Sequence, residues 1–201
     1  MDLPLHVATG AVIGNALLYH EVTRGKLDLT RNHRVKVALA AFLTGVLSHL
    51  LWDWMPHYDW LFYVKIFKPL PFHWLIPQML TTMPVLAGNL YLNRDAWPLA
   101  SIAMFGSIYP DIEKLLFFDF DLPRRFIIFQ QHSCYLTQWR PWELAHKNFL
   151  VWFEIVVFFV LIGILCGVAR ARRKRRIFQE VFTGNLSISA QQRHKPASTL
   201  L

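Results

Sequence analysis

A histidine and an aspartate in the first half of the chain have the residue types and the spacing of a metal site. His49 and Asp53 lie four residues apart, and His57 follows after four more, in the stretch SHLLWDWMPHYD. Each residue of an α-helix turns the chain by about 100°, so residues four apart share one face. An imidazole and a carboxylate presented on one face make two ligands for one divalent ion. Pro56 disfavours helical geometry in the residue before it, so we expect His57 and Asp59 on the turn that leaves the helix.

Further imidazoles and carboxylates lie in or beside apolar segments, where an ionisable side chain is costly and by default indicates a functional site. Asp111 and Glu113 follow a proline in the stretch YPDIEK. We expect Pro110 to break a helix there, so that both carboxylates point into a cavity. The remaining candidate ligands are histidines near the ends of other apolar segments, namely His6, His132 and His146.

The composition of the chain indicates which elements must position these side chains. Hydrophobic residues make up 54% of the 201 residues, charged residues only 17%, and the mean hydropathy is +0.30. Soluble domains average about 45–50% apolar and about 25% charged residues, so this composition is shifted towards that of a membrane protein. It also excludes a largely disordered chain, which needs low hydrophobicity and high charge. Two cysteines exclude a disulfide scaffold.

We predict an all-α fold, a polytopic membrane bundle of four to five transmembrane helices. The clearest span is residues 149–169, because about 20 apolar residues at about 1.5 Å each cross a hydrocarbon core about 30 Å thick. Residues 3–19 give the weakest indication of a membrane span. This segment either spans the membrane or forms a re-entrant segment. The other apolar segments are residues 37–52, 74–92 and 97–118.

Basic residues predict the orientation. Eleven of the 21 lysines and arginines fall in two blocks, residues 24–36 and 170–176, and each block adjoins an apolar segment. This placement is typical of cytoplasmic membrane flanks and argues against nucleic-acid binding. We therefore divide the chain into a membrane helical domain, residues 1–169, and a basic, mostly disordered cytoplasmic tail, residues 170–201. The block at 170–176 is expected to have affinity for anionic lipid.

With the tail in the cytoplasm, alternating spans put every candidate side chain at or near the outer face of the plasma (inner) membrane. The flanks assigned to the inside then carry twice as many lysines and arginines as those assigned to the outside. This orientation depends only on the lysines and arginines. The convergence of the candidate imidazoles and carboxylates at the outer face is therefore an independent indication of a functional site.

Three stretches of the chain resemble the YdjM-like family, small prokaryotic inner-membrane proteins grouped as membrane-bound metal-dependent hydrolases. LPLHVATGAVIGNAL is similar to the family's opening H-x-x-x-G segment, GVLSHLLWDWMPHYDW to its G-x-x-S-H-x-x-x-D motif, and FGSIYPDIEKL to its L-x-P-D-x-D element. QQHSCYLT keeps His132 and Ser133 of an H-R-x-x-T-H-S element but lacks the preceding His-Arg pair, and the order of the elements differs from the family's. The resemblance implies a helical membrane fold and a metal centre, and it leaves the substrate undefined.

Two functions follow as hypotheses. In the first, the protein is a metal-dependent hydrolase that acts on a lipid, a lipid-linked molecule or a phosphoester at the outer interface. A zinc ion would lower the pKa of a bound water, and a nearby side chain would take the proton. The ligands would be His49, Asp53 and Asp111 with His6, His132 or His146, and the proton acceptor would be Asp59, Glu113 or His57.

In the second hypothesis the protein has no catalytic activity. The buried histidines and aspartates form a hydrogen-bond network between helices, and the basic tail docks lipid or a partner. Polar pairs inside membranes contribute about 0.6–2 kcal/mol each, which suffices to specify packing. Neither hypothesis predicts an oligomeric state.

Overall fold

The computed structural model describes residues 3–23, 31–55, 75–94, 96–119 and 140–193. Within these ranges the chain forms helices and no strand, which confirms the predicted all-α class. The helices are α1 (Leu3–Thr23), α2 (Arg31–Trp54), α3 (Leu75–Leu92), α4 (Trp97–Asp119), α5 (Arg140–Ala145) and α6 (Lys147–Arg193).

Helix α1 contains residues 3–19, the segment for which the sequence gives the weakest indication of a membrane span. It lies at the centre of the bundle. It is one continuous helix of 21 residues and packs against α2, α3, α4 and α6. The hydrophobic core forms around it, with Val7, Ala8 and Ala11 in contact with Val85 of α3 and Met104 of α4. A helix of this length spans about 31 Å, so α1 runs the full height of the bundle instead of turning back within it.

Helix α4 continues through Pro110, so the predicted helix break at this proline is wrong. A proline inside a helix removes one backbone N–H, and neighbouring helices can compensate for that loss. Here the Pro110 side chain is fully buried. Because the helix is unbroken, Asp111 and Glu113 are separated by about 200° around its axis and point to opposite sides of it.

Glycines allow α1 and α2 to approach α4 closely. A Cβ on Gly10 of α1 would lie 2.6 Å from the Cα of Met104, and one on Gly45 of α2 would overlap the carbonyl oxygen of Ala103. Gly14 and Gly106 make similar backbone contacts in the same two interfaces. Small residues at such crossings are the usual means by which membrane helices pack. The three helices therefore meet at backbone distance near His6 and His49.

Apolar side chains lie on the surface of the bundle and several polar side chains lie in its interior. The side chains of Leu39, Leu43, Leu47 and Leu51 form a stripe on α2, and each is more than half exposed. Polar side chains such as His6, Asn15 and His49 are fully buried. Two helical segments, Asn32–Trp54 and Lys147–Phe178, are long and apolar enough to cross a membrane.

A second buried polar cluster ties the helices together at the end opposite His6. Asn15 of α1 and Asn93 both donate hydrogen bonds from Nδ2 to Oδ1 of Asn89 in α3, each 2.8 Å long. Arg172 of α6 donates from Nη2 to the carbonyl oxygen of Leu92, the last residue of α3, at 3.1 Å. These bonds fix α1, α3 and α6 relative to one another at this end.

Helix α6 runs from Lys147 to Arg193 without a break. It therefore continues past residue 169, through the basic block and into the segment for which the sequence predicts a mostly disordered tail. The proposed domain boundary at residue 169 is not marked by an end of the helix. The basic block is part of α6, and its cations are held at fixed positions around the helix axis.

Candidate metal centre

Three side chains from two helices converge on one point. Oδ1 of Asp53 lies 3.2 Å from Nε2 of His6, and its Oδ2 lies 3.1 Å from Nε2 of His49. The ligand atoms of the three residues all lie within 4.8 Å of one another, and all three side chains are buried. The prediction that His49 and Asp53 share one face of a helix is confirmed, and His6 is brought to them from α1.

The local sequence explains this convergence. Leu3 begins α1, and its backbone N–H donates to Oε1 of Gln78 in α3 at 2.7 Å, which fixes the start of the helix. One turn after His6, Gly10 lets α1 touch the backbone of α4. One turn before His49, Gly45 does the same for α2. The two histidines therefore lie beside the same stretch of α4, within reach of each other.

The two imidazole rings stack, with centroids 4.0 Å apart and an interplanar angle of 23°. Nδ1 of His49 donates to the backbone carbonyl oxygen of Ser107 in α4 at 2.7 Å. Since a carbonyl can only accept, this contact places a proton on Nδ1 of His49. Metal-ligating histidines are commonly oriented by such a bond from the nitrogen that does not bind the metal.

The proton on Nδ1 of His49 leaves Nε2 of the neutral ring with a lone pair. That nitrogen faces Oδ2 of Asp53 at 3.1 Å and Oδ1 of Asp111 at 3.8 Å. A lone pair directed at two carboxylates is unfavourable unless a positive charge lies between them, in the form of a proton or a cation. Ligands of one tetrahedral zinc ion lie about 3.4 Å apart, because each bond is about 2.1 Å long. The distances within the cluster therefore fit a shared divalent ion.

Asp111 adds a second carboxylate to the cluster from α4. Its side chain is 34% exposed, whereas those of His6 and His49 are fully buried. Asp111 is therefore the member of the cluster that is most exposed to the surroundings of the bundle. The sequence predicts Asp111 as a ligand, and the structure places it at the rim of the cluster.

A hydrogen bond beside the cluster has no counterpart in the sequence-based prediction. Nε1 of Trp52 donates to Oγ1 of Thr9 at 3.0 Å, and Thr9 donates to the carbonyl oxygen of Leu5 at 2.9 Å. Trp52 precedes Asp53, and Thr9 lies three residues after His6. The bond thus joins α1 to α2 immediately next to the ligands. In the sequence, this bond is indicated only by the hydroxyl of Thr9 close to His6 and the indole of Trp52 directly before Asp53.

The other predicted site residues lie elsewhere or outside the described ranges. Glu113 is buried and accepts a hydrogen bond from the hydroxyl of Tyr109, on the side of α4 away from Asp111. His146 is exposed, stacks on Trp142, and has its Nδ1 2.9 Å from the carbonyl oxygen of that residue. Neither belongs to the group of possible metal ligands found among the described residues. His57, Asp59 and His132 lie outside the described ranges.

Comparisons with protein-family models, with curated proteins and with solved structures find no match to this chain. The resemblance to the YdjM-like membrane-bound metal-dependent hydrolases therefore stays a prediction based on three short stretches of sequence.

Proposed function

We propose that this protein is an integral membrane hydrolase whose activity depends on a divalent ion held by His6, His49 and Asp53, with Asp111 at the rim. The observation that carries the proposal is the convergence of two buried imidazoles on one buried carboxylate at ligand distances. Burying these groups without compensation would cost several kcal/mol, and a shared ion would compensate both imidazoles and the carboxylate at once.

The proposal includes four or five membrane spans, with the metal centre at the outer face of the plasma membrane. Helices α1 to α4 have 18–24 residues, and at about 1.5 Å per residue this length matches a hydrocarbon core about 30 Å thick. The ends of the helices support the orientation. Glu21 and His33 pair at one end of α1 and α2, near the basic residues, and His6 and Asp53 meet at the other end.

The donor set favours zinc. Two imidazole nitrogens and one carboxylate are the ligands of many catalytic zinc sites, which keep a fourth position for water. Zinc bound there would lower the pKa of that water and polarise the bond to be cleaved. His49 is oriented for binding by the carbonyl oxygen of Ser107. Asp111, partly exposed and 3.8 Å from Nε2 of His49, is placed either to complete the ligand set or to accept the proton of the water.

The substrate we propose is a lipid or a lipid-linked ester or phosphoester. The reason is the location of the centre, because a site at the outer end of a bundle with an apolar surface is reached from the membrane interface. Leu51 and Trp54 flank Asp53 on α2 and are both exposed. His57 and Asp59, which follow α2 in the sequence, stay candidates for proton transfer.

A non-catalytic role is the second candidate, and a specific contact supports it. Asp53 contacts both histidines at 3.1–3.2 Å, which is also the arrangement of an imidazolium–carboxylate network that locks α1 to α2. In this case the cluster would hold protons where the first proposal places a metal. Metal content distinguishes the two.

The test uses the full chain purified in mild detergent, with zinc, manganese and iron measured by elemental analysis. We expect about one metal ion per chain in the wild type, and loss of most of it in His49→Ala and Asp53→Ala. His146→Ala removes an exposed imidazole outside the cluster and is the matched control, so it should keep its metal.

A wild-type protein that stays metal-free after incubation with zinc would overturn the proposal. If metal is bound, the loaded protein is assayed on ester and phosphoester lipids, with His49→Ala as the blank. If the protein binds metal but hydrolyses neither ester lipids nor phosphoester lipids, the proposed hydrolase activity is wrong and the protein is a metal-binding membrane protein.

A further inference from the structure

Exposed cations from three parts of the chain lie at the end of the bundle opposite the metal centre. They come from the start of α2, the turn after α3 and the part of α6 beyond residue 169. We call this set the basic end, and its exposed members are Arg34, Lys36, Arg94, Arg170, Arg173, Lys174 and Arg175.

Two contacts, together with the hydrogen bond from Asn15 of α1 to Asn89 of α3, show that these segments belong to the same end. Arg172 of α6 donates to the carbonyl oxygen of Leu92, two residues before Arg94. Nε2 of His33, which precedes Arg34, lies 2.6 Å from Oε2 of Glu21 near the end of α1. The charges are therefore gathered by the fold, although they are dispersed along the sequence.

Arg172 differs from its neighbours in the basic block. Its side chain is 5% exposed, and its guanidinium binds a backbone carbonyl at the end of α3. A cation at this position also interacts favourably with the negative end of the helix dipole. Arg170, Arg173 and Lys174 are exposed instead. The block thus contains a buried arginine, Arg172, that stabilises the packing of α6 against α3, and exposed cations at the surface of the bundle.

Exposed aromatic side chains beside the basic end are those expected at the level of lipid headgroups. Tyr91 and Trp97 are both more than half exposed, one on each side of the turn that carries Arg94. The guanidinium of Arg94 lies 4.7 Å from the centre of the Tyr91 ring. Tyrosine and tryptophan are enriched where a membrane meets water, because one part of the side chain is apolar and the other polar. In a membrane that the bundle spans, an arginine beside them would lie at the depth of the lipid phosphates.

We infer that the basic end is a docking surface for the headgroups of anionic phospholipids in the inner leaflet. The inference depends on the membrane insertion proposed above and not on the metal. Charge complementarity selects the occupant, since the carboxylate of Glu21, which lies beside these cations, is largely buried and already paired with His33. Each lysine or arginine near an anionic membrane surface strengthens binding by about fivefold.

The experiment compares lipid retention by the full chain in a neutral detergent. Phosphatidylglycerol and phosphatidylcholine of equal chain length are added in equal amounts, and native mass spectrometry counts the lipids that stay bound. We expect preferential binding of phosphatidylglycerol that weakens as salt is added, because exposed charges are screened. Arg173→Gln should lower the preference by about fivefold, and the triple variant Arg170→Gln, Arg173→Gln, Lys174→Gln by about 100-fold.

The matched control is Lys147→Gln, which removes the same charge from an exposed lysine at the other end of α6 and should leave the preference unchanged. Equal retention of the two lipids by the wild type, or an unchanged preference in the triple variant, would overturn the inference. So would an RNA oligonucleotide that displaces phosphatidylglycerol at an equal concentration. Alkaline carbonate extraction of cell membranes is run alongside, because release of the wild-type protein would show that membrane insertion itself is wrong.

Discussion

The two histidines of the cluster are held in different ways. His49 is oriented on one side by the carbonyl oxygen of Ser107 and on the other by Asp53. His6 contacts Asp53 through Nε2, and its buried Nδ1 has no hydrogen-bond partner among the described residues. The position of His6 therefore depends on how α1 is placed against α2. The hydrogen bond between Trp52 and Thr9 contributes to that placement, because it joins the two helices directly.

We expect Thr9→Val to weaken metal binding. Valine keeps the shape of threonine but cannot accept the hydrogen bond from Nε1 of Trp52. Such bonds between membrane helices contribute about 0.6–1.7 kcal/mol, which corresponds to a loss of about 3–20-fold in zinc affinity. Competition with a chromophoric chelator measures the affinity. Thr9→Ser keeps the hydroxyl and should restore wild-type binding, so equal affinities for all three proteins would contradict this role.

Part of the cluster could be predicted from the sequence and part could not. His49 and Asp53 belong to one helix, so their spacing alone places them on one face. His6 and Asp111 come from other helices, and their motifs identify them as candidates without giving their distances. The carbonyl oxygen of Ser107 could not have been predicted, because every residue has a carbonyl and only tertiary packing selects one.

At the scale of the helices, hydropathy predicted the segments that form the long helices but not their places in the bundle. Helix α1 lies at the centre of the bundle although it carries His6 and Asn15, because both side chains are fully buried against other helices. A central helix is surrounded by protein, so it can contain polar residues that a lipid-facing helix could not. Pro110 misled the prediction for the same reason, since its neighbours bury it and the helix continues.

The glycine contacts of α4 give a prediction at this scale. A Cβ on Gly45 would overlap the backbone of α4, and a backbone atom cannot move aside as a side chain can. We expect Gly45→Ala to separate α2 from α4 and to destabilise the protein by about 1–3 kcal/mol, as overpacking does. Thermal unfolding in detergent measures the change, and metal content should fall with it.

The matched control is Gly163→Ala in α6, where an added Cβ would meet nothing within 4 Å. Alanine favours a helix over glycine by up to about 1 kcal/mol, so this variant should be as stable as the wild type or more stable. If Gly45→Ala behaved like Gly163→Ala, close approach of α2 to α4 would not be what holds His49 in place.

At the scale of the whole molecule, the fold separates two kinds of charged residue. The buried side chains of His6, His49 and Asp53 in the candidate metal centre lie at one end of α1 and α2, and the exposed cations of the basic end lie at the other. The order of charges along the chain does not show this separation, because α1 to α4 alternate in direction. Polar groups in the middle of the bundle are buried, and the leucines on the outside of α2 are exposed. Such a distribution suits a molecule that faces water at its two ends and lipid between them.

The orientation of the whole bundle can be measured directly with single cysteines. His146→Cys lies near the start of α6, and Arg173→Cys lies in the basic end, and both positions are exposed. The background carries Cys134→Ser and Cys166→Ser, which remove the natural thiols. In intact cells a membrane-impermeant maleimide should label the cysteine at 146, and it should label the cysteine at 173 only after permeabilisation, because basic flanks stay in the cytoplasm. The reverse pattern would place the metal centre on the cytoplasmic side, and a substrate from the outer leaflet would then be excluded.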